Sequence, residues 1–200
     1  MSQSPGNPSQ VMRGQGMMKG RKWMYALAGV VPLSLAVFIY AQLMLRFGSG
    51  TPPQMQPAAV RTDTIEVDKS EQRMVLYRNG QPLREYSIAL GASPEGHKTE
   101  EGDERTPVGD YIIDWRNANS IAHLSLHISY PNAEDIQQAE QRGVSPGGNI
   151  MIHGMINGWG WLISRLGLRN WTDGCIAVSN DEMKEVWSLV ANGTPIRIQE

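Results

Sequence analysis

Short apolar segments with a two-residue period fill the chain from about residue 63 onward and predict a mostly β domain. Strands are expected over Thr64–Val67, Met74–Arg78, Leu83–Leu90, Gly109–Trp115, Leu124–Ser129, Ile150–His153, Cys175–Val178 and Pro195–Ile198. The Asn79-Gly80 pair between two of these segments is a strong hairpin signal. The pattern favours a β-sandwich or β-barrel fold with one or two short helices.

Two segments with helical spacing interrupt the strands. The first, Glu134–Arg142, is short and charged. The second begins at Ser179, which is followed three positions later by Glu182 in a capping-box pattern, and it ends near Asn192. Its apolar positions recur at helical spacing and are expected to face the core: Met183, Val186, Trp187 and Val190.

A long apolar run near the N-terminus has a different character. No charged residue occurs from Trp23 to Leu45, a length that spans about 34 Å as a helix and suffices to cross a bilayer. Four basic residues precede the run, and no acidic residue occurs before Asp63, so the positive-inside rule places the N-terminus in the cytoplasm. A cleaved signal peptide is the alternative, but the run is long for one and no small-residue cleavage site follows.

These patterns divide the chain into four parts. We expect a basic cytoplasmic N-terminus (1–22), a single transmembrane anchor (23–47), a linker rich in Pro and Gly (48–62) and one domain (63–200). This arrangement predicts an inner-membrane protein whose domain faces the periplasm.

Charge follows the same division. Residues 1–62 carry a formal charge of +6, whereas residues 63–200 carry −8. An acidic domain argues against nucleic acid as a partner, because such binding needs a basic surface.

The domain contains one cysteine, Cys175, and therefore cannot form an internal disulfide. His153-Gly154 ends one predicted strand, and Gly174-Cys175 opens the next. Two neighbouring strands would place the imidazole beside the thiol as its base, and Gly174 would allow a carbonyl to approach. The N–H of Cys175 could contribute to an oxyanion hole. The intervening residues, rich in Gly and Trp, suit a loop over a pocket.

Two other interpretations of these residues remain open. A single cysteine is commonly a small buried hydrophobe. Alternatively, His123, His127, His153 and Cys175 could form a four-ligand zinc site, although no local metal-binding motif supports one. His127 fits a cleft wall or a structural role better, and no metal or other cofactor is expected.

Several motifs follow one another along the domain: Glu101–Tyr111 (EGDERTPVGDY), Leu126–Asn132 (LHISYPN), Pro146–Ile150 (PGGNI), His153-Gly154 and Trp171-Thr172-Asp173-Gly174-Cys175-Ile176-Ala177-Val178. Together they resemble the L,D-transpeptidase catalytic domain (YkuD-type) family. The resemblance runs from about Ile65 to Ile198.

This resemblance implies a cysteine acyltransferase that acts on peptidoglycan stem peptides. Cys175 would attack the carbonyl at the L-centre of diaminopimelate, form a thioester and release the following D-amino acid. In this assignment His153 is the base, Gly174 and Cys175 shape the oxyanion site, and Thr172 supports the turn. Substrate-binding positions would be His127, Gly154, Trp171, Thr172 and Asp173.

Two positions depart from the family pattern. Asp173 stands where many members carry a second histidine, and Ala177 where many carry an arginine suited to a substrate carboxylate. The motif resembles a branch that includes peptidoglycan amidases as well as transpeptidases. Transfer, hydrolysis and a catalytically inactive wall-binding module therefore remain alternatives.

Overall fold

The computed structural model describes residues 30–46, 51–167 and 169–200. Residues 30–46 form helix α1. The predicted cytoplasmic segment 1–22 lies outside the described residues, as do positions 23–29 and 47 of the predicted anchor and 48–50 of the predicted linker. Within the described ranges, no helix combines the length and the apolar character needed to cross a bilayer.

The C-terminal domain is mostly β, as the alternating pattern predicts. Its strands, β1 to β8 in chain order, are Thr64–Asp68, Arg73–Arg78, Gln81–Ser87, Gly109–Ser120, His123–Ile128, Met151–His153, Ile176–Ala177 and Pro195–Gln199. They form one sheet in the order β3-β2-β1-β8-β4-β5-β6-β7. The predicted hairpin is confirmed, since Asn79 and Gly80 both have the positive φ (50° and 71°) that a tight turn between twisted strands requires.

Strand β4 connects the two halves of the sheet. Its first residues, Gly109–Ile112, pair with β8, and the residues from Ile113 to Ser120 pair with β5. A register shift between Ile113 and Trp115 separates these two stretches, and bulges of this kind bend a strand. β4 is therefore longer than the predicted Gly109–Trp115, and its extension carries the sheet toward β6 and β7.

Three short helices accompany the sheet: α2 (Ala133–Arg142), α3 (Gly160–Arg165) and α4 (Asn180–Leu189). Both predicted helices are present. Ser179 and Glu182 form the predicted capping box of α4, and Met183, Val186, Trp187 and Val190 are all buried. Helix α3 lies in the segment expected to be a loop, where its short length and three flanking or included glycines conceal any periodicity.

Residues ahead of β1 contact the C-terminal end of α4. The Gln56 N–H donates to the Ser188 carbonyl (2.8 Å) and the Thr62 N–H to the Leu189 carbonyl (3.0 Å). A short 3-10 helix, Ala58–Val60, lies between these two bonds. The second half of the segment interpreted as a linker thus pairs with the domain.

Candidate active site

The two predicted catalytic strands are neighbours in the sheet. β6 and β7 pair in parallel, with His153 opposite Ala177 and Ile152 opposite Ile176. Side chains alternate across a strand, so His153 and Met151 share one face with Ala177 and Cys175, while Ile152 and Ile176 are fully buried on the other. The register therefore places His153 and Cys175 on the same face of adjacent strands.

Both side chains line one cavity of about 410 Å³. The other lining residues come mainly from β4, β5 and the segment before β7: Asn117, Asn119, Ser120, Ile121, Ala122, Ser125, Asn149, Met151, Ile156, Trp171, Thr172 and Asp173. Of the sequence-predicted site residues, Trp171, Thr172 and Asp173 thus accompany the pair.

The imidazole of His153 has a fixed orientation. Its Nδ1 lies 2.6 Å from the Gly154 carbonyl oxygen, and since a carbonyl only accepts, Nδ1 carries the proton and donates. Trp171 packs edge-on against the ring, with centroids 5.7 Å apart. Burial lowers the pKa of His153 despite the opposing effect of the Gly154 bond. The ring is therefore neutral at pH 7, with the Nε2 lone pair available as a base.

The thiol of Cys175 is half-buried and directed toward the backbone of the preceding loop. Its Sγ lies 3.6 Å from the Asn149 carbonyl oxygen. Burial raises the pKa of Cys175, the nearby Asp173 carboxylate raises it further, and the Met151 backbone and Lys98 oppose both. A neutral thiol beside a neutral imidazole suits proton transfer to His153 during attack, rather than a pre-formed ion pair.

Gly174 occupies a turn that only glycine can form. Its φ is +109°, and a Cβ at this position would lie 2.4 Å from the Arg105 carbonyl oxygen. The buried Thr172 hydroxyl donates to the Cys175 carbonyl (2.7 Å) and accepts from the Gly174 N–H (3.3 Å). These bonds give Thr172 the turn-supporting position that the family resemblance implies.

The segment 98–107 forms the back of this turn. The Asp103 carboxylate accepts hydrogen bonds from the N–H groups of Thr99, Glu100 and Arg105. It also forms an ion pair with the buried Lys98 ammonium (2.7 Å). It thereby fixes the loop whose Arg105 carbonyl contacts Gly174. Asp103 thus holds this turn both through backbone hydrogen bonds and through an ion pair.

Two predicted site residues have other positions. Gly154 packs against Asn180, whose Oδ1 would lie 2.7 Å from a Cβ there, and contributes its carbonyl to His153. His127 does not line the cavity: it stacks under Trp115 with ring centroids 4.8 Å apart, and its Nδ1 lies 2.6 Å from Asp114 Oδ1.

Sequence reasoning missed the polar wall of the cavity. Asn117 and Ser125 are paired across β4 and β5, and Ser125 is paired with His153 across β5 and β6. The Ser125 hydroxyl is buried and has no hydrogen-bond partner among the described residues. Alternation along β5 could have identified Ser125, which lies two positions from His127 and so on the same face.

The zinc alternative finds no structural counterpart in the part of the chain that the structure describes. No group of three or more His, Cys, Asp or Glu side chains there is arranged to hold a metal ion.

Comparison with known proteins agrees with this geometry. The family model of the L,D-transpeptidase catalytic domain (YkuD) matches residues 62–198. Among curated proteins, none matches the chain.

Two solved structures share the fold. The helical cell shape determining protein Pgp2 (K307A mutant) from Campylobacter jejuni is 22% identical, with 80% of this chain and 54% of that chain covered and a TM-score of 0.51. Bd1075 from Bdellovibrio bacteriovorus is 25% identical, with 74% of this chain and 52% of that chain covered and a TM-score of 0.50. The chain spans about half of the length of these structures.

Proposed function

The chain belongs to the L,D-transpeptidase catalytic domain family, and from this premise we propose that it is a peptidoglycan-modifying cysteine acyltransferase acting on stem peptides. The observation that carries the proposal is the shared cavity: the oriented imidazole of His153 and the thiol of Cys175 both line it, from adjacent parallel strands.

The first half-reaction acylates the cysteine. As the Cys175 sulfur attacks the peptide carbonyl, its proton passes to His153 Nε2. The carbonyl oxygen, now negative, is stabilised by the Cys175 N–H at the turn that Gly174 permits. Collapse of this intermediate breaks the C–N bond, the leaving amine takes the proton from His153, and a thioester remains on Cys175.

The second half-reaction resolves the thioester. An amine or water gives a proton to His153 and attacks the carbonyl, and the thiolate leaves and recovers the proton. An amine acceptor gives a crosslink or an attached protein, whereas water gives hydrolysis. Hydrolysis is the second candidate because Asp173 and Ala177 replace the histidine and arginine of many relatives.

Intact-protein mass spectrometry tests the proposal directly. Because Cys175 is the only cysteine, one mass increment identifies the thioester after incubation with a stem tetrapeptide or a carbapenem. Cys175→Ser should give no thioester, and His153→Gln should slow acylation about a hundredfold or more. Well-folded wild-type protein that forms no adduct with either reagent would leave the inactive wall-binding module as the better account.

We further propose that residues 23–47 anchor the protein in the inner membrane with the domain in the periplasm. The uncharged run from Trp23 to Leu45 and the basic residues before it support this topology. Protease added to spheroplasts should digest the domain. Digestion only from the cytoplasmic side would contradict the proposed orientation.

A further inference from the structure

The sheet arranges the side chains of the active-site face in two rows. One row runs from Ala177 through His153 and Ser125 to Asn117. The other row runs from Cys175 through Met151 and His127 to Trp115, because Met151 pairs with His127 and His127 pairs with Trp115. The two catalytic side chains therefore belong to adjacent rows.

The end of the cysteine row carries a cluster of three side chains, Asp114, Trp115 and His127, that we name the platform. Trp115 lies nearly parallel to the His127 ring, at an interplanar angle of 17°, and 40% of its surface is exposed. Asp114 bonds His127 Nδ1 and is itself partly exposed. A partly exposed indole beside a carboxylate and an imidazole can bind an apolar ring face bearing hydroxyl groups.

The row order indicates which half of a substrate reaches the platform. The leaving nitrogen must approach His153, so the scissile C–N bond points from the cysteine row toward the histidine row. The acyl part of the donor then continues on the cysteine side, and the row offers it a path over Met151 toward His127.

The length of this path matches a stem peptide. From Cys175 to Trp115 there are three strand spacings, about 14 Å. Three extended residues, from the scissile carbonyl back to the start of the stem, cover about 10–11 Å. The ether-linked lactyl group supplies the remaining few ångströms, which brings the sugar to Trp115.

We propose that the platform is a subsite for the N-acetylmuramyl sugar of the donor, with the sugar ring stacked on Trp115 and its polar groups bonded by Asp114 and His127. The inference rests on the proposed function, because it takes the donor to be a stem peptide. The domain would then recognise the glycan as well as the peptide of its substrate.

Calorimetric titration of the full-length Cys175→Ser protein tests the subsite without requiring turnover. The probes are a disaccharide-tetrapeptide and the same tetrapeptide without sugar. The disaccharide-tetrapeptide should bind more tightly, and Trp115→Ala should weaken it about two- to tenfold while leaving the free tetrapeptide unchanged. Trp115→Phe, which keeps a ring, should retain most of the difference. Ile136→Ala, which truncates another exposed apolar residue (41%), should change neither affinity.

The outcomes separate the subsite from the catalytic proposal. Equal affinity for the two probes, or equal weakening of both by Trp115→Ala, overturns the sugar subsite even if wild-type protein forms the thioester. A sugar-dependent affinity that requires Trp115 supports the subsite even if no thioester forms, in which case the acyltransferase proposal alone fails.

Discussion

At the scale of single residues, the site depends on keeping two ionisable groups uncharged. The Gly154 carbonyl fixes the proton of His153 on Nδ1, and burial disfavours the imidazolium. Burial and the adjacent Asp173 disfavour the Cys175 thiolate. In the proposed mechanism the main-chain carbonyl performs the orienting role that a carboxylate performs in other triads.

The pH dependence of acylation should reflect the lowered pKa of His153. Attack needs neutral His153, whose pKa lies below the ordinary value of 6.5, so activity should persist as pH falls through 6.5 and be lost only below it. Rates of thioester formation at subsaturating tetrapeptide, measured from pH 4 to 10, provide the test. An acidic limb centred above 6.5 would contradict a buried neutral imidazole.

Asp173 should tune the reactivity of the thiol. The substitution Asp173→Asn removes a charge that raises the pKa of Cys175, so the midpoint of the pH profile for alkylation by iodoacetamide should move down. The control is Asp110→Asn, which removes an exposed carboxylate of β4 that pairs with Arg197 on β8. A profile that moves equally in both variants would indicate a general charge effect instead.

Sequence could predict Cys175, His153 and the Thr172–Gly174 turn because each is needed locally by the chemistry or by the backbone. Alternation could place Ser125 on the same face as His127, but the sequence could not place Ser125 and Asn117 at the cavity, because their position there depends on the register of three strands. Register is set by pairing across the sheet rather than by neighbours in the chain. The sequence favours a cleft-wall or structural role for His127, and in the structure its ring stacks with Trp115 outside the cavity lining, at a point where β4 has a register shift.

At the scale of elements, the loop 98–107 packs against the turn that precedes Cys175. The Glu104 and Arg105 carbonyls lie so close to Gly91 and Gly174 that a Cβ on either glycine would fall within 2.5 Å of an oxygen. Asp103 organises the loop. The motif around residues 101–107 is thus explained by packing, and its distance from Cys175 in sequence conceals that role.

Asp103→Asn should destabilise the domain by about 2–3 kcal/mol at pH 7, because it deprives buried Lys98 of its counter-ion and weakens three backbone hydrogen bonds. Burial alone would raise the pKa of Asp103, but Lys98 and the backbone N–H groups lower it below its ordinary value. The carboxylate therefore stabilises the fold above its unfolded pKa, and this contribution is lost as pH falls through the lower folded value.

Urea denaturation of both proteins at pH 7 and near pH 3 measures this difference. The gap in unfolding free energy should narrow on acidification. Asp181→Asn is the control: it removes an exposed carboxylate that pairs with Lys184 on its own helix. A gap that stays constant with pH would assign the loss to packing instead of charge.

At the scale of the whole domain, Arg116 joins parts that are distant in sequence. From β4 its guanidinium donates to the Trp187 and Val190 carbonyls at the C-terminal end of α4 and lies 4.0 Å from the Trp187 ring centroid. The same end of α4 accepts the backbone N–H groups of Gln56 and Thr62. The C-terminal end of α4 thus holds β4 and the segment 56–62 together.

Arg116→Ala should therefore cost about 2–4 kcal/mol of unfolding free energy, because two helix-terminal carbonyls lose a charged donor and the indole loses its cation. Arg116→Lys should recover part of this unfolding free energy, since an ammonium keeps the charge but not the planar, forked donor geometry of the guanidinium. Arg197→Ala, which breaks an exposed pair with Asp110, should cost less than about 1 kcal/mol.

Because Arg116 projects away from the cavity, thioester formation in folded Arg116→Ala protein should match wild type. A loss of acylation without a loss of stability would instead connect α4 to the catalytic face.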